Sequence, residues 1–239
     1  RAVGSAMNLS GANVVLNTIV ADALDEICGK LEDAKKADKN MNKAVQNILQ
    51  DIIKKHKRVI FNGDNYTEEW VKEAKKRGLP NLKTTPEALK ATLEPAVLAL
   101  CEKHGVLTKK EMMSRYEVYL EAYETIIKYE AGLAADMAKT TILPAAMKYQ
   151  IELAETIKSV EGINKTKLTA SRKLLKELSL KTEEALSAIG ELEKSIAGGS
   201  AKDMKDNAAG LRKIIDAMEG LVPAEDWPLP SYAEMLFMM

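Results

Sequence analysis

Between residues 168 and 196 one apolar seam dominates the chain. Leu168, Leu175, Leu178, Thr182, Ala185, Ile189, Leu192 and Ile196 recur three and four apart after a first step of seven. Sustained over about four heptads, such a seam lies along one side of a helix and must be buried against other helices. Met204, Ala208, Leu211, Ile215 and Met218 keep the same alternation after Gly198-Gly199, with Ser200 placed to cap the second helix. The interval between these helices is short, and short loops make antiparallel neighbours.

The segment before the seam is also helical. Thr108-Lys109-Lys110-Glu111 reads as a capping box. Behind it, Tyr116, Leu120, Tyr123, Ile127, Ala131, Ala134, Ala138 and Ile142 hold a single face. Pro144 must break or kink this helix, because it lacks a donor and its ring crowds the preceding turn. Met147, Ile151, Ala154 and Ile157 carry the face on to Gly162.

Two helices are expected at the N-terminal end. The first spans residues 12–35, with a stripe of Val15, Leu16, Ile19, Val20, Ala23, Leu24, Ile27 and Leu31 wide enough to require burial on more than one side. The second spans 40–57, with Met41, Val45, Ile48, Ile52 and His56 on one face. A turn at Asn62-Gly63-Asp64 follows, then a short helix capped by Thr67 and ended at Arg77-Gly78 before Pro80. A further helix starts at Thr85-Pro86 and runs to about His104, stopping at Gly105. The tail from 223 to 239, with Trp227-Pro228-Leu229-Pro230, is expected to lie extended across the bundle.

The expected fold is therefore all-α: an elongated antiparallel helical bundle with long helices, one kinked near Pro144, a short helical connector and an extended tail. The expected divisions are 1–36, a terminal helix; 37–107, a helical segment with the connector; 108–222, the long-helix bundle; and 223–239, the tail packing on it. Aromatic residues are only 5% of the chain, so Ala, Leu, Lys, Glu and Met must build the core.

Charge and motif content narrow the function. Thirty-five basic residues balance 35 acidic ones, so no global field draws nucleic acid or an anionic membrane. The basic run Lys54, Lys55, His56, Lys57 and Arg58 sits where a helix C-terminus favours cations, and no aromatics interleave it as a nucleic-acid patch would need. No apolar run is long enough to span a bilayer. Cys28 and Cys101 do not make a disulfide framework and suit reduced thiols in the cytoplasm.

No self-contained active site is visible among the familiar phosphate-binding, metal-binding or nucleophile motifs. Cys101 and His104 have metal-ligand spacing but lack two further ligands. Glu121, Glu124 and Glu130 lack the Glu-x-x-His pairs of a di-iron bundle. Tyr116, Tyr123 and Met137 read as core at helical spacing. Asn62-Gly63-Asp64 reads as a plain turn, although its amides could cradle a phosphate.

Four segments carry a resemblance to the type III glutamine synthetases. These are FNGDNYTEEWVKEAKKRGLPNLKTTPEAL at 61–89, HGVLTKKEMMSRYE at 104–117, WPLPSYAEMLF at 227–237, and RAVGSAMNLSGANVVLNTIVADAL at 1–24, which is similar to the end of that family's catalytic domain. The family carries Gly-Pro-Asn where this chain has Gly11-Ala12-Asn13, and a small residue where it has Asn65.

The resemblance implies a parent enzyme that ligates ammonia to glutamate with ATP and magnesium or manganese, through a γ-glutamyl phosphate. It implies that the metal-binding carboxylates and most nucleotide contacts precede Arg1, so this chain reads as an internal fragment with no cofactor of its own. Arg1 resembles the family's arginine that contacts the substrate's reacting carboxyl or its phosphate. No metal ligand and no complete catalytic set are expected here. The expected role is non-catalytic: packing on the rest of the catalytic domain and helping to build a homo-oligomer, which in the family is a stack of hexameric rings. The alternative from the residues alone is a free-standing helical interaction or scaffold module, motivated by the seam at 168–196.

Overall fold

The computed structural model describes residues 8–37 and 40–237. Every regular element among them is helical, and the chain divides into two compact units, residues 1–121 and 122–239.

In the first unit, α1 (Ser10–Lys36) and α2 (Met41–His56) pack together, and α1 also meets α5 (Pro95–Lys103). Asn40 caps α2, its side chain accepting from the Lys43 amide at 3.2 Å. The wide stripe of α1 does not find burial on several sides. Among its described residues only Thr18 is buried, and Leu16, Val20 and Leu24 are about half exposed. Two neighbouring helices cover one flank of α1 and leave the rest of the stripe bare. On α2 the inward line is Ala44, Ile48 and Ile52, with Ala44 buried, while Met41 and Val45 turn outward at 40% and 37% exposure. The buried line of α2 is thus rotated by part of a turn from the expected face.

A 3-10 turn (Lys57–Val59) leads to the connector and α3 (Glu68–Lys76). The reversal there is centred on residues 64–67 and not on Asn62-Gly63. The Asp64 carboxylate accepts from the Tyr66 amide at 2.9 Å, and the Asp64 carbonyl accepts from the Thr67 hydroxyl at 3.0 Å. Thr67 thus stands at the N-cap position with its hydroxyl committed to the turn behind it and not to α3. Gly78, at φ 72°, ends α3 in a Schellman arrangement, with Gly78 N–H to Lys75 O and Leu79 N–H to Ala74 O.

The single helix expected from Thr85 to His104 is two helices. α4 (Thr85–Ala91) is capped by Thr84, which forms a capping box with Glu87, and α5 begins afresh at Pro95. Pro95 offers no amide to a continuing helix and fits the first turn of a new one. Gly105, at φ 62°, repeats the Schellman ending, with Val106 N–H to Cys101 O at 2.9 Å. The Thr108–Glu111 capping box then starts α6 (Lys109–Met137).

In the second unit, Pro144 is accommodated by a π turn at Ala138–Ile142, which lies between α6 and α7 (Leu143–Asn164). A widened turn relieves the ring's collision with the carbonyl behind it and places Pro144 in the first turn of α7. Residues 165–168 return the chain into α8 (Thr169–Gly198), and 199–200 return it into α9 (Ala201–Glu219), which Ser200 and Asp203 cap reciprocally. The core is formed by Ala131, Ala135, Ala138, Ile142, Leu143, Ala146, Leu178, Ala185, Ile189, Leu192, Met204, Leu211, Ile215, Met218 and Val222. The seam faces inward as its spacing predicts. Its one polar member, Thr182, is buried, donates to Leu178 O at 2.9 Å and accepts from Gln150 Nε2 at 2.5 Å. A polar residue paired in this way fixes the register of α7 on α8.

The tail packs on this core through Trp227 and Leu229, held by Asp226, which pairs with Lys148 at 2.6 Å. It does not stay extended to its end. Ser231 and Glu234 form a capping box and open a short helix, α10 (Tyr232–Leu236).

Candidate functional site

Arg1, the residue whose resemblance implies substrate contact, lies outside the described residues. Glu121, Glu124 and Glu130 are all exposed. Tyr116 and Tyr123 are half-buried, while Met137, at 37% exposure, points outward. The basic residues 54–58 form a solvated helix end. Cys101 is buried and Cys28 is exposed, both as free thiols.

His104 reaches toward α1. Its Nε2 lies 2.9 Å from Asp22 Oδ1, and the neighbouring Lys103 ammonium is 2.8 Å from both Asp22 Oδ1 and Asp25 Oδ2. Asp22 and Asp25 share a face of α1 because they are three residues apart. Lys103 and His104 sit in the last turn of α5, where the helix dipole favours cations. Each group shifts the next. Hydrogen bonds from Lys103 and then His104 hold the Asp22 carboxyl below its ordinary value, and Lys103 does the same to Asp25. In return, hydrogen bonds to Asp22 and Asp25 raise the Lys103 ammonium well above its ordinary range.

The ligand atoms of Asp22, Asp25 and His104 lie within 4.8 Å of one another, a spacing that could hold a metal ion. The Lys103 ammonium already occupies the place between the two carboxylates, so the donor set does not fit a divalent cation.

The connector forms a second cluster. Phe61 and Trp70 stack with ring centroids 4.3 Å apart and an interplanar angle of 24°. The Arg77 guanidinium lies 6.0 Å and 5.7 Å from the two ring centroids. It also donates to Glu73 Oε1 at 2.6 Å, to Ile60 O at 2.8 Å and to Arg58 O at 3.3 Å. Its Nε and Nη1 donors face this chain's own groups, so the cluster is a clasp that closes the connector. Phe61 covers Gly63, and Asp64 serves the turn.

A third cluster joins α7 to α8. Lys165 takes the left-handed conformation, φ 54°, and reverses the chain. Glu161 then accepts from the Leu168 amide at 2.9 Å and forms a two-armed pair with Arg172 through Nε, at 2.9 Å, and a terminal guanidinium nitrogen. The Arg172 guanidinium and then the Leu168 amide hold the Glu161 carboxyl down to about 2, from an ordinary 4.5. A depressed carboxyl contributes stability that is complete above its unfolded value and is lost as pH falls toward the folded one. The stability advantage of the native chain over Glu161→Gln should therefore be full at neutral pH and close between about pH 4.5 and 2. Urea midpoints of both proteins across that range measure it; a gap that persists unchanged at pH 2 would contradict the assignment.

Nothing in these clusters pairs a nucleophile with a base or cradles a phosphate. The first and third tie helix to helix, and the second closes the connector onto α3.

Comparison with known proteins bears on what these helices belong to. The sequence model of the "Glutamine synthetase C-terminal domain" matches residues 44–161. The "Type-3 glutamine synthetase" of Dictyostelium discoideum is 32% identical over 255 residues, which cover 100% of this chain and 35% of that protein. The "Glutamine synthetase" of Butyrivibrio fibrisolvens is 32% identical, with 82% of this chain and 30% of that protein covered. The "Glutamine synthetase" of Bacteroides fragilis is 29% identical, with 99% of this chain and 35% of that protein covered. The chain thus spans about a third of the length of the curated relatives it matches. It belongs to the type III glutamine synthetase family and matches that family's C-terminal domain.

Proposed function

We propose that the polypeptide carrying this region is a cytoplasmic glutamate–ammonia ligase that makes glutamine with ATP and magnesium or manganese, and that the region itself is its non-catalytic helical scaffold. The observation that carries this reading is the chain's match to about a third of proteins named glutamine synthetase. The described residues support the scaffold role, because their polar clusters are spent on ties within the chain. Among the described residues, the one cluster with metal-like spacing has the Lys103 ammonium between its carboxylates.

Packing on the remainder of the enzyme and on other subunits is supported by the apolar residues left bare. Leu16, Val20 and Leu24 on α1 are about half exposed, and Tyr232, Leu236 and Phe237 at the tail are 81%, 74% and 76% exposed. Exposure of this kind on an ordered helix marks a surface that another one covers. The free-standing module loses its motive, because the seam of α8 is covered by α7 and α9 within the same unit. Among the described residues no helix is long and apolar enough to cross a membrane.

The full-length protein tests the reading. It should form glutamine from glutamate, ammonia and ATP, and truncation after Gly105 should change its assembly as measured by light scattering. The 239-residue chain alone should form none. Glutamine made by this chain at an enzyme-like rate, or a truncated protein that assembles unchanged, would overturn it.

A further inference from the structure

The Asp22–Asp25–Lys103–His104 cluster is the only ion-paired contact described between α1 and the matched C-terminal domain. α1 ends before residue 44, where the match begins, whereas α5 lies inside it. Between these helices the apolar contribution is small: Thr18 is the one buried residue described on α1, and its hydroxyl turns back to Val14 O at 2.7 Å. Cys101 supplies the buried apolar residue on α5.

The polar partners are better organised. The Schellman ending at Gly105 fixes the last turn of α5, so Lys103 and His104 leave it side by side. On α1, Asp22 and Asp25 stand one helical turn apart and meet them. One ammonium bridging two carboxylates, with the imidazole on the same Asp22 oxygen, Oδ1, fixes both the rotation of α1 about its axis and its height along α5. Apolar contact with α5 alone would leave α1 free to slide along it, while α2, most of which also lies inside the match, packs on α1 as well.

We propose that these four side chains are the joint that positions α1 on the C-terminal domain, and so set the direction in which the chain enters that domain. What the joint orients in the full-length enzyme rests on the ligase reading above; the joint itself does not.

Hydrogen exchange of the 239-residue chain tests the joint without any assay of activity. Lys103→Met leaves Asp22 and Asp25 facing each other without the ammonium between them, with only His104 on Asp22. It should speed exchange of the α1 amides about threefold or more, with α8 and α9 unchanged as an internal control. Salt at roughly 0.5 M should reproduce part of this in the unsubstituted chain, because the pairs are partly exposed and screened. The exchanged pair Asp25→Lys with Lys103→Glu keeps one bridge in reverse and should recover part of the protection, which separates a lost joint from a failure to fold.

Three results would each overturn the proposal. One is α1 exchange unaffected by Lys103→Met and by salt. Another is α1 amides already unprotected in the native chain. The third is loss of protection in α1, α8 and α9 together with no recovery in the reversed pair. The ligase reading would stand or fall separately, on the assembly and activity of the full-length protein.

Discussion

Leu192→Ala should cost the second unit about 2–5 kcal/mol of stability. Leu192 is fully buried on α8, in the core that α7 and α9 complete, and its seam neighbours Ala185 and Ile189 are buried with it. Truncation to Ala loses the transfer free energy of the removed methyl groups, and a close-packed wall that relaxes only partly leaves a cavity. Two tryptophans are present in the chain, one in each unit. Trp227 packs against this core. In a Trp70→Phe background its fluorescence therefore reports urea unfolding of the second unit alone. Leu180, on the same helix but 55% exposed, is the control, and Leu180→Ala should shift stability by no more than about 0.5 kcal/mol. If the two substitutions cost the same, the seam is not the centre of the unit.

Legibility in the sequence follows from how local each determinant is. The seam of α8, the cap at Ser200 and the box at Thr108 were readable because each depends on residues at fixed short spacing within one helix. The break at Pro95 carried a local signal too, but the flanking residues Ala91, Ala96 and Leu98 all favour helix, and that continuity masked the missing amide donor. Ser231 and Glu234 likewise carried a capping signature inside a tail expected to be extended.

The inward face of α2 differs from the expected one for another reason. Met41, Val45, Ile48 and Ile52 are all apolar at helical spacing, and only the partner helix decides which line goes inward. Ala44, too small to draw notice as a core residue, is the buried residue of α2. The polar clusters were not legible at all. Asp22 and Lys103 are 81 residues apart, and each alone reads as a solvated charge on a helix. Glu161 and Arg172 are 11 residues apart, but nothing in the sequence showed that Lys165 reverses the chain between them. These pairings arise from topology, so no spacing rule within an element reaches them.

Gly63 shows a right expectation with a different cause, and it carries the other large effect. Glycine at this position suggested a turn, yet the turn is made by Asp64 and Gly63 has no left-handed φ. What requires glycine is space. A Cβ at Gly63 would stand 2.4 Å from Phe61 Cζ and 2.7 Å from Cε1, well inside contact distance. The ring cannot swing away freely, because Trp70 stacks on it and Arg77 lies against both rings while bonding to the carbonyls of Arg58 and Ile60. Gly63→Ala must therefore displace Phe61 from Trp70 or shift the backbone at 60–63, at a cost of about 1–3 kcal/mol to the first unit. In a Trp227→Phe background, Trp70 fluorescence follows that unit through urea unfolding. The substitution should also change the native emission of Trp70, since its stacked neighbour moves. Phe61→Leu combined with Gly63→Ala should cost less than the two single changes added together, because the smaller side chain makes room for the new methyl group. Strict additivity of the two would mean that the ring does not rest on the glycine, and the clasp would lose its physical basis.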